Sequence, residues 1–301
     1  METPFPSVLV LLATHHGQRW ITEQLHSILG QQAVEAHLLV SDDHSTDDTL
    51  AALQSCCPNA RLLPAAPRVL GNACRNFLYL IETAEIGTCA FVALADQDDV
   101  WFKDKLCRAI ALLRESGADA CSSNVIAFWP EGRERLLDKA EPQRPLDFLF
   151  ESSGPGCTFV LSRQMFLALQ GWVKNNATAL QNLKAHDWMI YAFARQNGFK
   201  WVIDARPTMR YRQHDRNQTG ANIGWRAAWG RLKHVLRGEF RHDVLRLAKI
   251  IGNETPVIQA LARFGWRDRW RLFCQCRDLR RNRQQAWLLG MMFLCMRKTG
   301  S

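Results

Sequence analysis

The feature that most constrains the fold is a series of short apolar runs that alternate with segments of helical periodicity. The runs SVLVLLAT, AHLLV and CAFVALA have strand length and almost no polar interruption. After the first run, Ile21, Leu25 and Ile28 repeat at helical spacing. Strands that are apolar on both faces are typical of parallel sheets covered by crossover helices. The sequence therefore predicts an α/β fold with a Rossmann-like, mostly parallel sheet and flanking helices.

Polar residues cluster at or just beyond the carboxyl ends of the predicted strands: Thr14, Asp42, Asp43, Asp96, Asp98 and Asp99. In such sheets, ligands bind outside these strand ends. Carboxylates placed so close together tolerate ionisation when a cation lies among them, and hard oxygen ligands favour Mg²⁺ or Mn²⁺. We therefore expect a divalent ion there, neutralising a diphosphate. The alternative is a solvated acidic turn that leads into an N-capped helix.

Several classes of protein are disfavoured by what the sequence lacks. It contains no G-x-G-x-x-G and no Walker A lysine motif, which weakens a dinucleotide-binding or P-loop interpretation. No apolar run reaches the roughly 18 residues of a membrane span, and the first apolar run lacks the basic leader of a signal peptide. The 10 cysteines show no C-x-x-C spacing, which predicts buried free thiols in a cytosolic protein.

The charge is unevenly distributed, and this predicts a boundary. From Asn222 onward there are 17 Lys and Arg against 5 Asp and Glu, whereas the preceding part carries 21 against 24. We predict a catalytic domain over 1–221 and a basic helical extension over 222–301. Apolar residues that share one predicted helix face lie early in the extension: Trp225, Trp229, Leu232, Val235 and Leu236. This segment either docks on an anionic membrane surface or packs on the catalytic domain.

Three segments in this order resemble a known family: SVLVLLATHHGQRW, then LLVSDDHSTDDT, then ALADQDDVWFKDKL. They resemble the family-two inverting glycosyltransferases of GT-A fold, and within them the bacterial rhamnosyltransferase-like branch. The resemblance covers roughly residues 7 to 220 and leaves the basic extension outside. It implies a GT-A fold and the transfer of a sugar from a nucleoside diphosphate donor.

The resemblance also implies residue roles on the donor side. Thr14 begins the loop over the nucleotide, and Asp42 or Asp43 accepts a hydrogen bond from the base. Arg75 and Asn76 match positions that face the nucleotide, although Arg75 equally fits an exposed helix residue. The D-x-D positions and the YRQH motif supply the remaining nucleotide and metal contacts: Asp96, Asp98, Arg212, Gln213 and His214. Of the two D-x-D carboxylates, Asp98 is expected to bind the metal directly.

Inverting transfer needs a carboxylate that takes the proton of the acceptor hydroxyl. Asp187 in AHDWMIYAF matches that base by resemblance, while its residue type alone fits a helix N-cap. Many relatives carry Glu-Asp where this chain has His186 and Asp187. Residues expected around the acceptor and sugar are Trp101, Gly156, Cys157, His186 and Trp188. Asp99 is expected either to support the D-x-D loop or to contact the acceptor.

The hypothesis from sequence is thus a metal-dependent inverting glycosyltransferase. The resemblance to the rhamnosyltransferase-like branch implies that it would transfer rhamnose from dTDP-rhamnose, and a UDP-sugar is the next expected donor. The acceptor would be a hydroxyl of a surface polysaccharide such as O-antigen or capsule, or of a lipid-linked glycan. A cytoplasmic location is expected, either free or peripheral at the inner face of the membrane. Two alternatives remain: a metal-dependent nucleotidyltransferase, for which THHGQRW is a poor phosphate loop, and a non-enzymatic protein that binds membrane or nucleic acid through the extension. No nucleic-acid recognition motif supports the last.

Overall fold

A computed structural model of the chain describes residues 5–214 and 238–296. Within them lie eleven strands: β1 (Ser7–Thr14), β2 (Glu35–Asp42), β3 (Arg61–Leu62), β4 (Phe91–Asp96), β5 (Val100–Trp101), β6 (Ala120–Ser123), β7 (Val125–Phe128), β8 (Glu134–Leu137), β9 (Val160–Ser162), β10 (Trp201–Asp204) and β11 (Met209–Arg212). The predicted domain boundary at 221/222 and the predicted apolar face from Trp225 to Leu236 lie outside the described residues.

The same ranges contain twelve α-helices: α1 (Ile21–Leu29), α2 (Thr49–Cys56), α3 (Ala73–Thr83), α4 (Lys105–Ser116), α5 (Arg163–Asn175), α6 (Ala177–Leu180), α7 (His186–Gln196), α8 (Glu239–Ile250), α9 (Pro256–Arg263), α10 (Trp266–Cys274), α11 (Cys276–Leu279) and α12 (Arg283–Cys295). Two 3₁₀ turns cover Asp147–Leu149 and Gly156–Thr158. Side chains fix the starts of α3, α5 and α12, where Asn72, Ser162 and Asn282 each accept an amide hydrogen bond.

The main sheet has seven strands in the order β10-β6-β9-β4-β1-β2-β3. Its strands run parallel except β9, which is antiparallel to both β4 and β6. This confirms the predicted mostly parallel α/β fold. A second sheet of four strands, β5-β11-β7-β8, stands beside it. Because β11 pairs antiparallel with β5, the end of β11 returns to the segment that follows β4.

The core lies on both faces of the main sheet, as apolar strands require. Along β1, Val8, Val10 and Leu12 belong to one buried cluster and Leu9 and Leu11 to the other. Alternate residues of a strand point to opposite faces, so a strand apolar throughout serves both cores.

The described part of the C-terminal extension is helical and packs on the catalytic body. Val244, Leu247, Leu261 and Phe293 are almost completely buried and belong to the same core cluster as Leu9 and Leu11. Of the two alternatives left open by the sequence, packing on the body therefore holds for α8 to α12. All ten cysteines lie in described residues, and each is a free thiol. Among the helices of 5–214 and 238–296, none is long and apolar enough to cross a bilayer.

Candidate functional site

Strand register brings the predicted polar residues to one edge of the sheet. Thr14 pairs with Asp42 across β1 and β2, and Ala13 pairs with Asp96 across β1 and β4. The expected convergence of these strand ends is confirmed. We call the carboxylates of Asp42, Asp43, Asp96 and Asp98 the carboxylate edge.

At the β1–β2 end, short hydrogen bonds hold the two carboxylates in place. Asp42 accepts from the Thr14 hydroxyl at 2.8 Å and from the amide and hydroxyl of Ser45 at 2.8 and 2.6 Å. Asp43 accepts from the backbone amides of Leu70 and Gly71 at 2.6 and 2.7 Å. Both aspartates are buried, and their hydrogen bonds fix the loops that follow β2 and precede α3.

Arg75 and Asn76 differ in their surroundings. The Asn76 amide is buried and donates to the carbonyls of Thr14 and Ser41 at 3.2 and 3.1 Å, tying β1 to β2. Its Oδ1 is buried without a hydrogen-bond partner. Arg75 is exposed, and its guanidinium donates to the carbonyls of Leu70 and Gln181. Asn76 thus supports the strand ends, while Arg75 lies at the rim near the Asp43 loop.

The loop after β1 is fixed by residues that the sequence reading did not single out. Gln97 accepts from the His15 amide and donates to the His15 carbonyl, both at 2.8 Å. His16 has a left-handed φ of 47°, and the Thr49 hydroxyl accepts from the Gly17 amide. A Cβ on Gly17 would overlap the Gln97 side chain. Gln97 is the middle residue of D-x-D, so its place in that motif was an available signal.

The second sheet delivers the C-terminal motif to the D-x-D segment. His214 Nε2 lies 2.7 Å from Asp98 Oδ2, and its ring stacks on Trp20 at 4.0 Å. Arg212 donates through Nε to the Asp98 carbonyl at 2.7 Å and through its amide to Asp99 Oδ1 at 3.1 Å. Gln213 is buried and donates from its side chain to the Arg212 carbonyl. The fold thus unites Asp98 and His214 across 116 residues of sequence.

The electrostatics of the acidic segment favour a bound cation. Burial, with the nearby Asp98 charge next, raises the pKa of Asp96 to about 7. Burial and the same neighbour raise the pKa of Asp99 well above its ordinary value, and its Oδ2 has no hydrogen-bond partner. Ionising both carboxyl groups is therefore costly unless a positive charge lies close to them. Carboxylate oxygens and a histidine nitrogen are donors that Mg²⁺ and Mn²⁺ accept, so Asp96, Asp98 and His214 fit such an ion.

A tight group formed by Asp96, Asp99 and Cys157 has ligand atoms within 4.8 Å of one another. Burial raises the pKa of the Cys157 thiol well above its ordinary value, so the sulfur stays protonated and is a poor ligand for a hard ion. Below it, the Lys105 ammonium donates to the Cys157 carbonyl at 3.0 Å. Burial lowers the pKa of Lys105 to about 8. The sequence does not single out this lysine, because a lysine at the start of a helix is normally exposed to solvent.

Three residues expected in the pocket are buried in the structure: Asp99 and Cys157 completely, while Trp101 is 3% exposed. The Trp101 ring instead lies 4.5 Å from the Lys105 ammonium, and Asp99 receives the Arg212 amide. These residues form the interior support of the D-x-D segment. Residues that follow a strand in the core point alternately inward and outward, and this is why some of the residues near the D-x-D motif are buried.

The predicted base lies at the start of α7, facing the Gly156 turn. Burial raises the pKa of Asp187, opposed by a hydrogen bond from the Trp188 amide at 2.7 Å. His186 stacks on Phe77 at 4.1 Å, and burial lowers its pKa to about 3, so the imidazole is neutral. A Cβ on Gly156 would overlap His186 Nε2 and lie 3.4 Å from the Asp187 Cβ. We call Gly156, His186 and Asp187 the base pocket.

Trp188, also predicted in the pocket, lies instead at the interface with the extension. Its indole N–H donates to the Phe148 carbonyl at 2.9 Å, and its ring stacks on Phe240 of α8 at 6.2 Å. Consecutive residues at a helix start point in different directions, so Asp187 and Trp188 serve different neighbours. In this position Trp188 anchors α7 to the Phe148 segment and to α8.

Comparison with known proteins gives a consistent result. The model of the family described as glycosyl transferase family 2 matches residues 9–176. The dTDP-rhamnosyl transferase RfbG of Shigella flexneri is 40% identical over 256 residues, which are 84% of this chain and 88% of that protein. The succinoglycan biosynthesis protein ExoO of Rhizobium meliloti is 31% identical over 49% of this chain and 43% of its own length.

Solved structures share the fold. Residues 1–349 of TarS from S. aureus, in complex with UDP, superpose with a TM-score of 0.58 and 19% identity, over 90% of this chain and 73% of that one. The mannosyltransferase PcManGT from Pyrobaculum calidifontis, with GDP-Man and Mn²⁺, has a TM-score of 0.52 and 16% identity, over 96% of this chain and 85% of its own. At these identities the likeness concerns architecture.

Proposed function

Because the chain belongs to glycosyltransferase family 2 and is therefore a glycosyltransferase, we propose that it transfers rhamnose from dTDP-rhamnose to a hydroxyl of a glycan, with inversion at the anomeric carbon. The proposed acceptor is a surface polysaccharide, of the O-antigen or capsule kind, or a lipid-linked precursor of one. The donor follows from the relative that is 40% identical over most of both chains.

The proposal is supported by the closeness of two sets of carboxylates, the carboxylate edge and Asp187 of the base pocket, which have different surroundings. At the carboxylate edge, Asp98 is joined to His214 beside the half-buried Asp96. In the base pocket, Asp187 lies at a helix start where burial raises its pKa, close enough for its charge to act on Asp96. A base of this kind takes the proton of the attacking hydroxyl, while the edge binds the nucleotide diphosphate.

We propose that Asp96, Asp98 and His214 hold the divalent ion. When bound, Mn²⁺ or Mg²⁺ would supply positive charge that stabilises the leaving diphosphate. The chain's own residues do the rest: Asp42, Asp43 and Arg75 shape and rim the nucleotide position, and Arg212 orders the D-x-D loop by donating to the Asp98 carbonyl. A solved mannosyltransferase of the same fold contains Mn²⁺.

The donor is tested by thermal shift with Mn²⁺ and a panel of nucleotide sugars, followed by assays of dTDP release. Stabilisation by dTDP-rhamnose above that by UDP-GlcNAc or GDP-mannose is expected. Equal or smaller stabilisation by dTDP-rhamnose would remove the donor assignment. Release of pyrophosphate from dTTP and a sugar 1-phosphate, with no release of dTDP from dTDP-rhamnose, would instead favour the nucleotidyltransferase.

We also propose that the enzyme works at an anionic membrane surface, through an exposed face on α10 and α12. The face comprises Trp266, Trp270, Trp287, Leu288 and Met291, between 45% and 75% exposed, and exposed arginines of α10 flank it. Tryptophan with arginine is a composition typical of interfacial helices. It supports docking on lipid because the charge and the apolar surface coincide.

Vesicle co-sedimentation tests this docking with point variants, since deleting the extension would expose the core it shares with the body. A Trp266→Ser, Trp270→Ser variant is expected to bind phosphatidylglycerol vesicles more weakly than the wild type, and neither is expected to bind pure phosphatidylcholine. Leu167→Ser, at an exposed leucine on α5, is the matched control. Unchanged binding of the double variant would refute this surface.

A further inference from the structure

Arg281 lies between α11 and α12, far from the base in sequence, and its side chain is buried. Its guanidinium donates to Asp147 Oδ2 at 3.0 Å and to the Ser152 carbonyl at 2.6 Å. Its amide donates to Glu151 Oε1 at 2.7 Å. Arg281 therefore joins the extension to the 147–152 segment of the catalytic body.

One set of contacts continues to the helix that carries Asp187. Asp147 is completely buried and accepts from the Tyr191 hydroxyl at 3.0 Å and from Arg195 at 3.1 Å. Tyr191 and Arg195 lie four and eight residues after Asp187, on the same face of α7. The Asp147 carboxylate thus connects the Arg281 guanidinium to two residues of α7, and these contacts restrict how this helix can shift or rotate.

A second set of contacts reaches the opposite wall of the base pocket. The Ser152 carbonyl accepts a hydrogen bond from Arg281, and the Ser152 hydroxyl donates to the Gly154 carbonyl at 2.9 Å. Two residues later, Gly156 lies against His186 and the Asp187 Cβ. Since both the helix and the facing turn depend on one guanidinium, their separation depends on it too.

We infer that Arg281 is a positioning residue for the catalytic base, so the C-terminal extension completes the acceptor side of the site. The inference rests on the proposed role of Asp187. Arginine suits the task because its planar fork serves a carboxylate and a carbonyl in fixed directions, which a lysine ammonium cannot do. Displacing a reacting group by about 1 Å costs a rate of about 100-fold, so such a support is felt in turnover.

The test measures dTDP release from dTDP-rhamnose with Mn²⁺, with water or a glycan as acceptor. Arg281→Met is expected to lower kcat by about 10- to 100-fold while KM for dTDP-rhamnose stays within about 2-fold. Arg281→Lys is expected to recover part of kcat, because charge returns without the fork. Arg283→Met is the matched control, at an exposed arginine two residues away, and should keep the wild-type kcat.

Binding of dTDP with Mn²⁺, measured by calorimetry, shows that each variant is folded; if Arg281→Met is not, Arg281→Lys decides. A folded variant with wild-type kcat overturns the inference. Amide hydrogen exchange over 151–156 and 186–191 is a second readout, expected to be faster in the Arg281 variants and unchanged in Arg283→Met. A wild type that releases no dTDP, or an Asp187→Asn variant that releases it normally, defeats the proposed function instead.

Discussion

The carboxylate edge and the base pocket are supported in different ways. The edge is held by neighbours of its own sheet: Thr14 and Ser45 hold Asp42, and the ends of β1, β2 and β4 are aligned by register. The base pocket is held from outside the catalytic segment, by an arginine 94 positions after Asp187. The residues that support the carboxylate edge lie in contiguous sequence motifs, whereas the arginine that supports the base pocket is close to it only in the folded structure.

Removing the base separates the two regions most strongly. Asp187→Asn is expected to lower kcat by about 10²- to 10⁴-fold, because the amide cannot accept the acceptor proton. Affinity for dTDP, measured by calorimetry with Mn²⁺, should be unchanged, since the nucleotide is proposed to bind at the edge. A variant with wild-type turnover would show that another group is the base.

A variant at the carboxylate edge should have the opposite profile. Asp98→Ala is expected to weaken Mn²⁺-dependent binding of dTDP by about 10-fold or more, because it removes a proposed ligand and the partner of His214. Asp48→Ala, at an exposed aspartate of the same acidic sequence region, is the control. Equal affinity of Asp98→Ala and the wild type in calorimetry would contradict the metal assignment.

The closeness of the two walls of the base pocket can be tested by adding one carbon. Gly156→Ala would place a Cβ on His186 and is expected to destabilise the fold by about 1–3 kcal/mol. Thermal unfolding measures this loss. Gly171→Ala, on α5, where an added Cβ has nothing within 4 Å, is the matched control. Similar melting temperatures for both variants would mean that His186 has room to move.

A further effect is expected in the pH dependence of the metal-free protein. Burial and the Asp98 charge raise the pKa of Asp96 from 3.8 to about 7, so the folded state favours the neutral carboxyl. Its stabilising contribution is present below pH 3.8 and is lost as the pH rises through about 7. The melting temperature in EDTA should therefore fall over that range, and Asp96→Asn should flatten the curve. An identical slope in the variant would contradict the assignment.

Much of the fold and the carboxylate edge could be predicted because their signals are local. Apolar runs revealed the strands, and strand ends revealed where Asp42, Asp96 and Asp98 converge. Burial was harder to predict: Asp99, Trp101 and Cys157 follow or face the same strand, yet they point inward because β5 and the Gly156 turn fold over the sheet. Sequence spacing does not record which side of a segment a later strand will cover.

The supports of the base pocket gave no signal in the sequence for a similar reason. Lys105, Asp147 and Arg281 resemble ordinary charged residues of helices and loops, and their burial depends on partners that lie 44 to 134 residues away. The basic composition of the extension predicts that its arginines lie at the surface. One of its arginines instead lies in the interior, paired with Asp147 and Glu151.

The position of Arg281 near the end of the chain bears on synthesis. A polypeptide emerging from the ribosome reaches His214, and with it every group proposed to hold the nucleotide and the ion, well before the guanidinium that braces the general base. The helices on either side of this guanidinium share a buried core with the catalytic body, so the body cannot complete its core until they have been made. Donor binding and sugar transfer are therefore expected to arise together, once the residues around Arg281 have been synthesised.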